Sequence, residues 1–100
     1  MIKHIVLWNL KDEAHGLDKE ALAVKIKTDL EALTGVIPEL QHLEVGINAL
    51  PSDAAGDLCL ISEFASWEDL ESYRLHPAHQ ALLPFIKDAV TARHVVDYEG

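Results

Sequence analysis

The side chains best suited to chemistry gather in one stretch, Ser66-Trp67-Glu68-Asp69-Leu70-Glu71-Ser72-Tyr73-Arg74-Leu75-His76-Pro77-Ala78-His79. A phenol and two imidazoles so close together are the groups that move protons on small molecules. Histidine titrates near neutrality and serves as a general base, and tyrosine donates a hydrogen bond to a developing oxyanion. Ser66 followed by Asp69 is a capping pattern that starts a helix, and Pro77 turns His76 away from helical dihedrals and stops it. Tyr73 is thereby placed one turn before the stop. His79 falls in the first turn of the next segment, where unpaired backbone N–H groups and the positive end of the helix dipole favour a neutral imidazole or a bound anion. A plainer reading uses the same residues: Tyr73 closes a core with its hydroxyl in water, and the histidines only shape a turn.

Other chemistries find less support. His76 and His79 straddle a proline, lack the i, i+4 stacking of helical metal pairs, and have no Cys or firmly placed carboxylate beside them, so no metal site is expected. His15 falls in a loop and His42 on a polar strand face, and both are expected at the surface. Trp8 and Trp67 lack interleaved basic residues and read as packing rather than as stacking platforms. The chain contains no glycine-rich phosphate loop, nucleophile elbow or Cys-x-x-Cys pair, which removes most support for kinase, hydrolase and redox readings. Eight basic against seventeen acidic residues leave a net charge of −9, which repels nucleic acid and anionic membrane. The single cysteine, Cys59, lies between Leu58 and Leu60, has no internal partner, and suits a reducing, cytoplasmic setting.

These groups need a scaffold, and 100 residues allow one domain, expected over 1–100. Ile2 to Leu10 alternates between Ile2, His4, Val6, Trp8 and Leu10 on one face and Lys3, Ile5, Leu7 and Asn9 on the other, so it reads as a first strand rather than a signal segment. Lys11 to Gly16 reads as a loop. Asp18 caps a helix with a stripe of Leu22, Ile26, Leu30 and Leu33, with Leu17 placed as a hydrophobic staple and Gly35 and Pro38 as stop signals. Leu40 to Ala49 reads as a strand with Gly46 as a possible bulge, and Leu50 to Gly56 as a turn region. Asp57 to Ala65 is the next strand. After the Trp67 to Leu75 helix, a segment with Leu82, Phe85, Ile86, Ala89 and Val90 on one face is interrupted by Pro84, which predicts either a kink or a restart with Pro84 in a first-turn position. Ala92 to Glu99 closes the chain as a strand. No stretch approaches the ~20 apolar residues of a membrane-spanning helix.

The order β, α, β, β, broken α, β predicts an α+β, ferredoxin-like split βαββαβ fold: a four-stranded antiparallel sheet with helices on one face. Two strands are apolar on both faces. Helices cover one of those faces, and a second copy in an isologous homodimer is the simplest cover for the other.

Ile2-Lys3-His4-Ile5-Val6-Leu7-Trp8, Gly35-Val36-Ile37-Pro38, Leu43-Glu44-Val45-Gly46 and Ser62-Glu63-Phe64 together resemble the stress-responsive dimeric α/β-barrel (Dabb) family. So do Ser66 to Tyr73, His76-Pro77-Ala78-His79-Gln80 and Val95-Val96-Asp97-Tyr98. The resemblance spans nearly the whole chain and implies two sheets pairing into a barrel across a homodimer. That family includes plant stress proteins, bacterial members without assigned activity, and a plant polyketide cyclase that performs an aldol condensation without a cofactor. By that resemblance His4, Tyr73 and His79 are the candidate catalytic residues, while Leu30 stands where the cyclase has a further Tyr. The apolar set of the first strand is the one expected to face the helices, so Val6, Trp8, Leu30, His76 and Leu82 are expected around a small apolar or aromatic ligand. Two functions stay open: a dimeric protein with a small-molecule pocket, or a cyclase-like lyase working through His and Tyr.

Overall fold

The computed structural model describes all 100 residues, and its buried apolar side chains form one continuous core. Strand β1 (Ile2–Leu10) lies at the centre of that core because its alternation is strict: Ile2, His4, Val6, Trp8 and Leu10 are buried, and the intervening residues are not. It pairs antiparallel with β5 (Leu58–Phe64) on one side and β6 (Val90–Glu99) on the other, and β4 (His42–Ile47) joins β5. The sheet order is β4-β5-β1-β6, the predicted ferredoxin-like arrangement. On β5 the buried set is Leu58, Leu60, Ser62 and Phe64, and Ser62 satisfies its hydroxyl by donating to the His4 carbonyl at 3.1 Å.

The predicted loop at Lys11 to Gly16 contains a small hairpin, β2 (Glu13–Ala14) with β3 (Leu17–Asp18). Its two-residue turn, His15-Gly16, has both residues at positive φ (53° and 75°), the geometry that matches strand twist. His15 is exposed, as expected of a turn residue, but it is engaged. Its ring stacks on Phe85 with centroids 4.0 Å apart, and its Nε2 lies 3.0 Å from the Phe85 carbonyl.

Helix α1 (Lys19–Glu31) starts where Asp18 accepts a hydrogen bond from the Ala21 N–H at 2.8 Å. Its stripe of Leu22, Ile26 and Leu30 is buried, and Leu33 is buried just beyond its end. Gly35 is not the immediate stop. After Ala32 the bonds tighten to i→i+3, and Gly35, at φ 82°, then turns the chain so that the Val36 and Ile37 N–H groups both return to the Leu33 carbonyl. Gly46 is not a bulge either, since the β4–β5 register runs unbroken past it. The irregularity lies at Asn9/Leu10 in the β1–β6 pairing, where the Leu10 N–H is taken up by the Asp57 carboxylate at 2.7 Å.

Helix α2 (Trp67–Leu75) begins at Ser66, whose Oγ accepts from the Asp69 N–H at 3.1 Å, and ends at His76 with ψ 135°. Two short helices follow, α3 (Pro77–Gln80) and α4 (Leu83–Ala89), with Pro84 in the first turn of the second, so the broken segment restarts rather than kinks. Val90, predicted on the helix, is instead the first residue of β6. Leu7 and Val96, on the sheet face away from the helices, are 45% and 58% exposed. No helix is long and apolar enough to cross a membrane.

Candidate functional site

A cavity of about 270 Å³ lies between the sheet and the C-terminal helices, near the lower end of the usual range for ligand sites. Val6, Trp8, Leu30, Leu60, Leu83 and Ile86 give it apolar walls, and His4, His79, Arg74, Lys87, Arg93 and Gln80 give it polar ones. The β1 alternation aims His4, Val6 and Trp8 at it, and the β6 register sets Arg93 opposite Trp8 and Asp97 opposite His4, on the same side of the sheet.

The α2–α3 junction positions His79. The last carbonyls of α2 have no helical partner, and that of Arg74 accepts from His79 Nδ1 at 3.0 Å and from Gln80 Nε2 at 2.6 Å. A carbonyl only accepts, so the proton sits on Nδ1, and Nε2 is left with its lone pair and no protein partner. Burial holds the His79 pKa below 6.5; the Arg74 carbonyl opposes this, and the positive charges of His4, Arg74 and Arg93 add to it. The ring is therefore neutral at neutral pH.

His4, 6% exposed, is held in the same manner by a different partner: its Nδ1 hydrogen-bonds the Asp97 carboxylate. This fixes its orientation and leaves its Nε2 without a protein partner. Tyr73 is fully buried behind the two histidines, its ring 4.5 Å from that of His79, 5.0 Å from Phe64 and 6.4 Å from His4. It packs behind the cavity wall, and its hydroxyl has no hydrogen-bond partner. Burial pushes its pKa up to about 12, so the phenol stays protonated and can only donate or accept a hydrogen bond in the physiological range.

The structure thus brings His4, Tyr73 and His79 together, with Val6, Trp8 and Leu30 on the cavity wall. His76 and Leu82 do not line it. His76 spends its Nδ1 accepting the Ala78 N–H at 3.0 Å, which caps α3, and Leu82 precedes α4 with its neighbour Leu83 on the wall instead. No group of three or more His, Cys, Asp or Glu side chains is arranged to hold a metal ion. Asp97, Arg74, Lys87 and Arg93 were not anticipated as site residues. The only sequence signal for the last was the parity of β6: once paired with β1, its odd-numbered residues share the helix-facing side of the sheet with His4, Val6 and Trp8.

Residues 2–100 match the family described as the stress responsive A/B barrel domain, Dabb. An uncharacterized protein of Streptomyces coelicolor is 31% identical over 99 residues, 99% of each chain. A dimeric protein of unknown function and ferredoxin-like fold from Bacteroides fragilis superposes with a TM-score of 0.87 at 33% identity, over 99% of this chain and 95% of that one. A hydroxynitrile lyase of Passiflora edulis shares the fold, with a TM-score of 0.81 at 20% identity over 97% of this chain and 90% of its own. The family match runs over practically every residue and the Streptomyces relative aligns from end to end, so this chain belongs to the stress-responsive A/B barrel (Dabb) family.

Proposed function

We propose that this chain is a homodimeric small-molecule binding protein, with one pocket per subunit between sheet and helices. The observation that carries the reading is the pair of imidazoles bordering an apolar cavity, each with Nδ1 committed to a protein acceptor. Both Nε2 atoms are then available to a ligand, and the unpartnered Tyr73 hydroxyl lies just behind the rings. The dimer follows from the bare sheet face, where Leu7 and Val96 are exposed and Ile5 and Ile61 only half-buried. A second copy covers that face with the same residues, as a two-fold contact requires. The dimeric Bacteroides fragilis relative supports this assembly. The lone Cys59 suits a reducing, cytoplasmic setting, and the net charge of −9 argues against nucleic acid and anionic membrane as partners.

One observation favours a second reading, a cofactor-free lyase or cyclase of the aldol type. His79 is held neutral by burial, so its Nε2 is competent to take a proton from a carbon alpha to a carbonyl, while Tyr73, buried behind the wall, supports the His79 ring from the layer beneath. A base so placed contributes roughly 10²–10⁴-fold. The same fold serves a hydroxynitrile lyase in Passiflora edulis, so lyase chemistry lies within its range.

A thermal-shift screen of aromatic and poly-β-keto compounds, with product analysis of each hit, separates the two. Stabilisation without product supports binding alone; turnover that His79→Ala abolishes while the dimer stays folded supports the lyase. Sedimentation at micromolar concentration tests the assembly, with Leu7→Glu expected to shift the protein to monomer. A wild-type chain that sediments as a monomer overturns the dimer.

A further inference from the structure

We infer that the pocket selects an amphipathic carboxylate, with its hydrocarbon body on Val6, Leu30, Leu60 and Ile86 and its charged end held at the mouth by Arg93 and Lys87. The inference rests on the small-molecule reading above and narrows it to a ligand class.

The charge distribution is the first observation. The chain has eight basic and seventeen acidic residues, yet Arg74, Lys87 and Arg93 all line this one cavity and no Asp or Glu does. A net charge of −9 makes such a concentration of cations the reverse of what a random scatter of surface charge gives. Two carboxylates lie close by, Asp97 bonded to His4 and Glu71 bonded to Arg74, and each is already engaged by its partner; the more distant ones are screened beyond about 8 Å at physiological salt.

Their lack of partners is the second. The lysines of α1 are each matched to a carboxylate: Lys19 to Asp12 and Asp57, Lys25 to Asp29, Lys27 to Glu31. Arg74 is matched to Glu71 at 2.9 Å. Four cations, Lys3, Lys11, Lys87 and Arg93, form no ion pair within the chain, and the last two line this cavity. Two free cations therefore border a cavity whose floor is apolar, and a guanidinium presents a fork that fits a carboxylate.

The local field is the third. Arg74 and Arg93 are among the groups that hold the His79 pKa down, so their positive potential extends to the imidazole. The pocket thus runs from apolar side chains at the floor, past two imidazoles, to cations at the rim. A cationic ligand would meet like charge there, and a neutral one would leave Lys87 and Arg93 unmatched.

The test uses this 100-residue chain carrying Trp67→Phe, which leaves Trp8, on the cavity wall, as its only tryptophan. Octanoate and its neutral isostere octanamide are titrated at pH 7.5 while Trp8 emission and thermal stability are followed. Octanoate should bind about tenfold or more tightly than octanamide, the usual worth of a charge-assisted contact. Arg93→Gln should remove that preference without changing octanamide affinity, and added salt should weaken octanoate alone. Lys87→Gln, on α4, repeats the test should Arg93→Gln disturb the β1–β6 pairing. Equal affinities for the two probes would overturn the carboxylate preference and leave the small-molecule reading intact. No response of Trp8 or of stability to either probe would also overturn the carboxylate proposal, and a blank aromatic and poly-β-keto screen beside it would overturn the small-molecule reading as well.

Discussion

Replacing Tyr73 with Phe should make this protein more stable, not less. The residue is fully buried and its hydroxyl has no partner. A buried hydroxyl left unsatisfied costs about 1–3 kcal/mol, and Phe keeps the ring contacts with Phe64 and His79 while deleting that cost. We expect urea unfolding at pH 7 to give a gain of about 1–2 kcal/mol, with the melting temperature rising by about 4–8 °C for each kcal/mol in a domain of this size. The alkaline limb provides a second readout. Burial raises the Tyr73 pKa from 10.0 to about 12, so the unfolded chain ionises first. The neutral phenol therefore contributes stability that is fully present below pH 10 and is lost as pH rises through about 12. Tyr73→Phe should abolish that share of the alkaline loss. If the hydroxyl serves a ligand, the same variant should bind it more weakly while standing up better empty, two effects of opposite sign from one atom. A Tyr73→Phe protein destabilised by 1 kcal/mol or more at neutral pH would refute the reasoning, because it would mean the hydroxyl already has a strong partner.

His79 should govern part of the acid limb. Burial lowers its folded pKa below 6.5, so the stability tied to its neutral form is present above 6.5 and is lost as pH falls below that value; His79→Gln should lose less stability than wild type between pH 7.5 and 5.5 in urea titrations, and parallel losses would count against the assignment. Asp97→Ala removes the acceptor of the buried His4 Nδ1 and should cost about 1–3 kcal/mol in the same assay, with an unchanged midpoint showing that the His4–Asp97 bond contributes nothing to folding. Glu31 stitches α1 to the sheet edge by accepting from Lys27 Nζ at 2.9 Å and the Val45 N–H at 3.2 Å, and its hydrogen bond with Lys27 chiefly holds its pKa below 4.5. The stability this supplies is present above pH 4.5 and is lost as pH falls through the depressed value, so Glu31→Gln should unfold with a shallower acid dependence than wild type.

Most of the scaffold was written in local pattern. The strict alternation from Ile2 to Leu10, the caps at Asp18 and Ser66, and the prolines at 77 and 84 are short-range signals, and each set its element within a few residues. The order of those elements then left the ferredoxin-like arrangement as the economical solution, because two apolar helices need one sheet face to cover. The sequence also placed Tyr73 at the end of a helix and His79 at the start of the next. What it did not contain was any statement about distance between segments far apart in the chain. Gly46 looked like a bulge because glycine weakens a strand, but the register shifts instead at Asn9/Leu10, where the Asp57 carboxylate accepts the Leu10 N–H. His76 was expected beside the ligand, but its Nδ1 accepts the Ala78 N–H and caps α3 instead. The His4–Asp97 bond, the burial that holds His79 neutral and the cationic rim of Arg74, Lys87 and Arg93 arise only when β6 lies beside β1 and α4 folds over both. Pairing register and burial are global quantities, and no window of residues carries them.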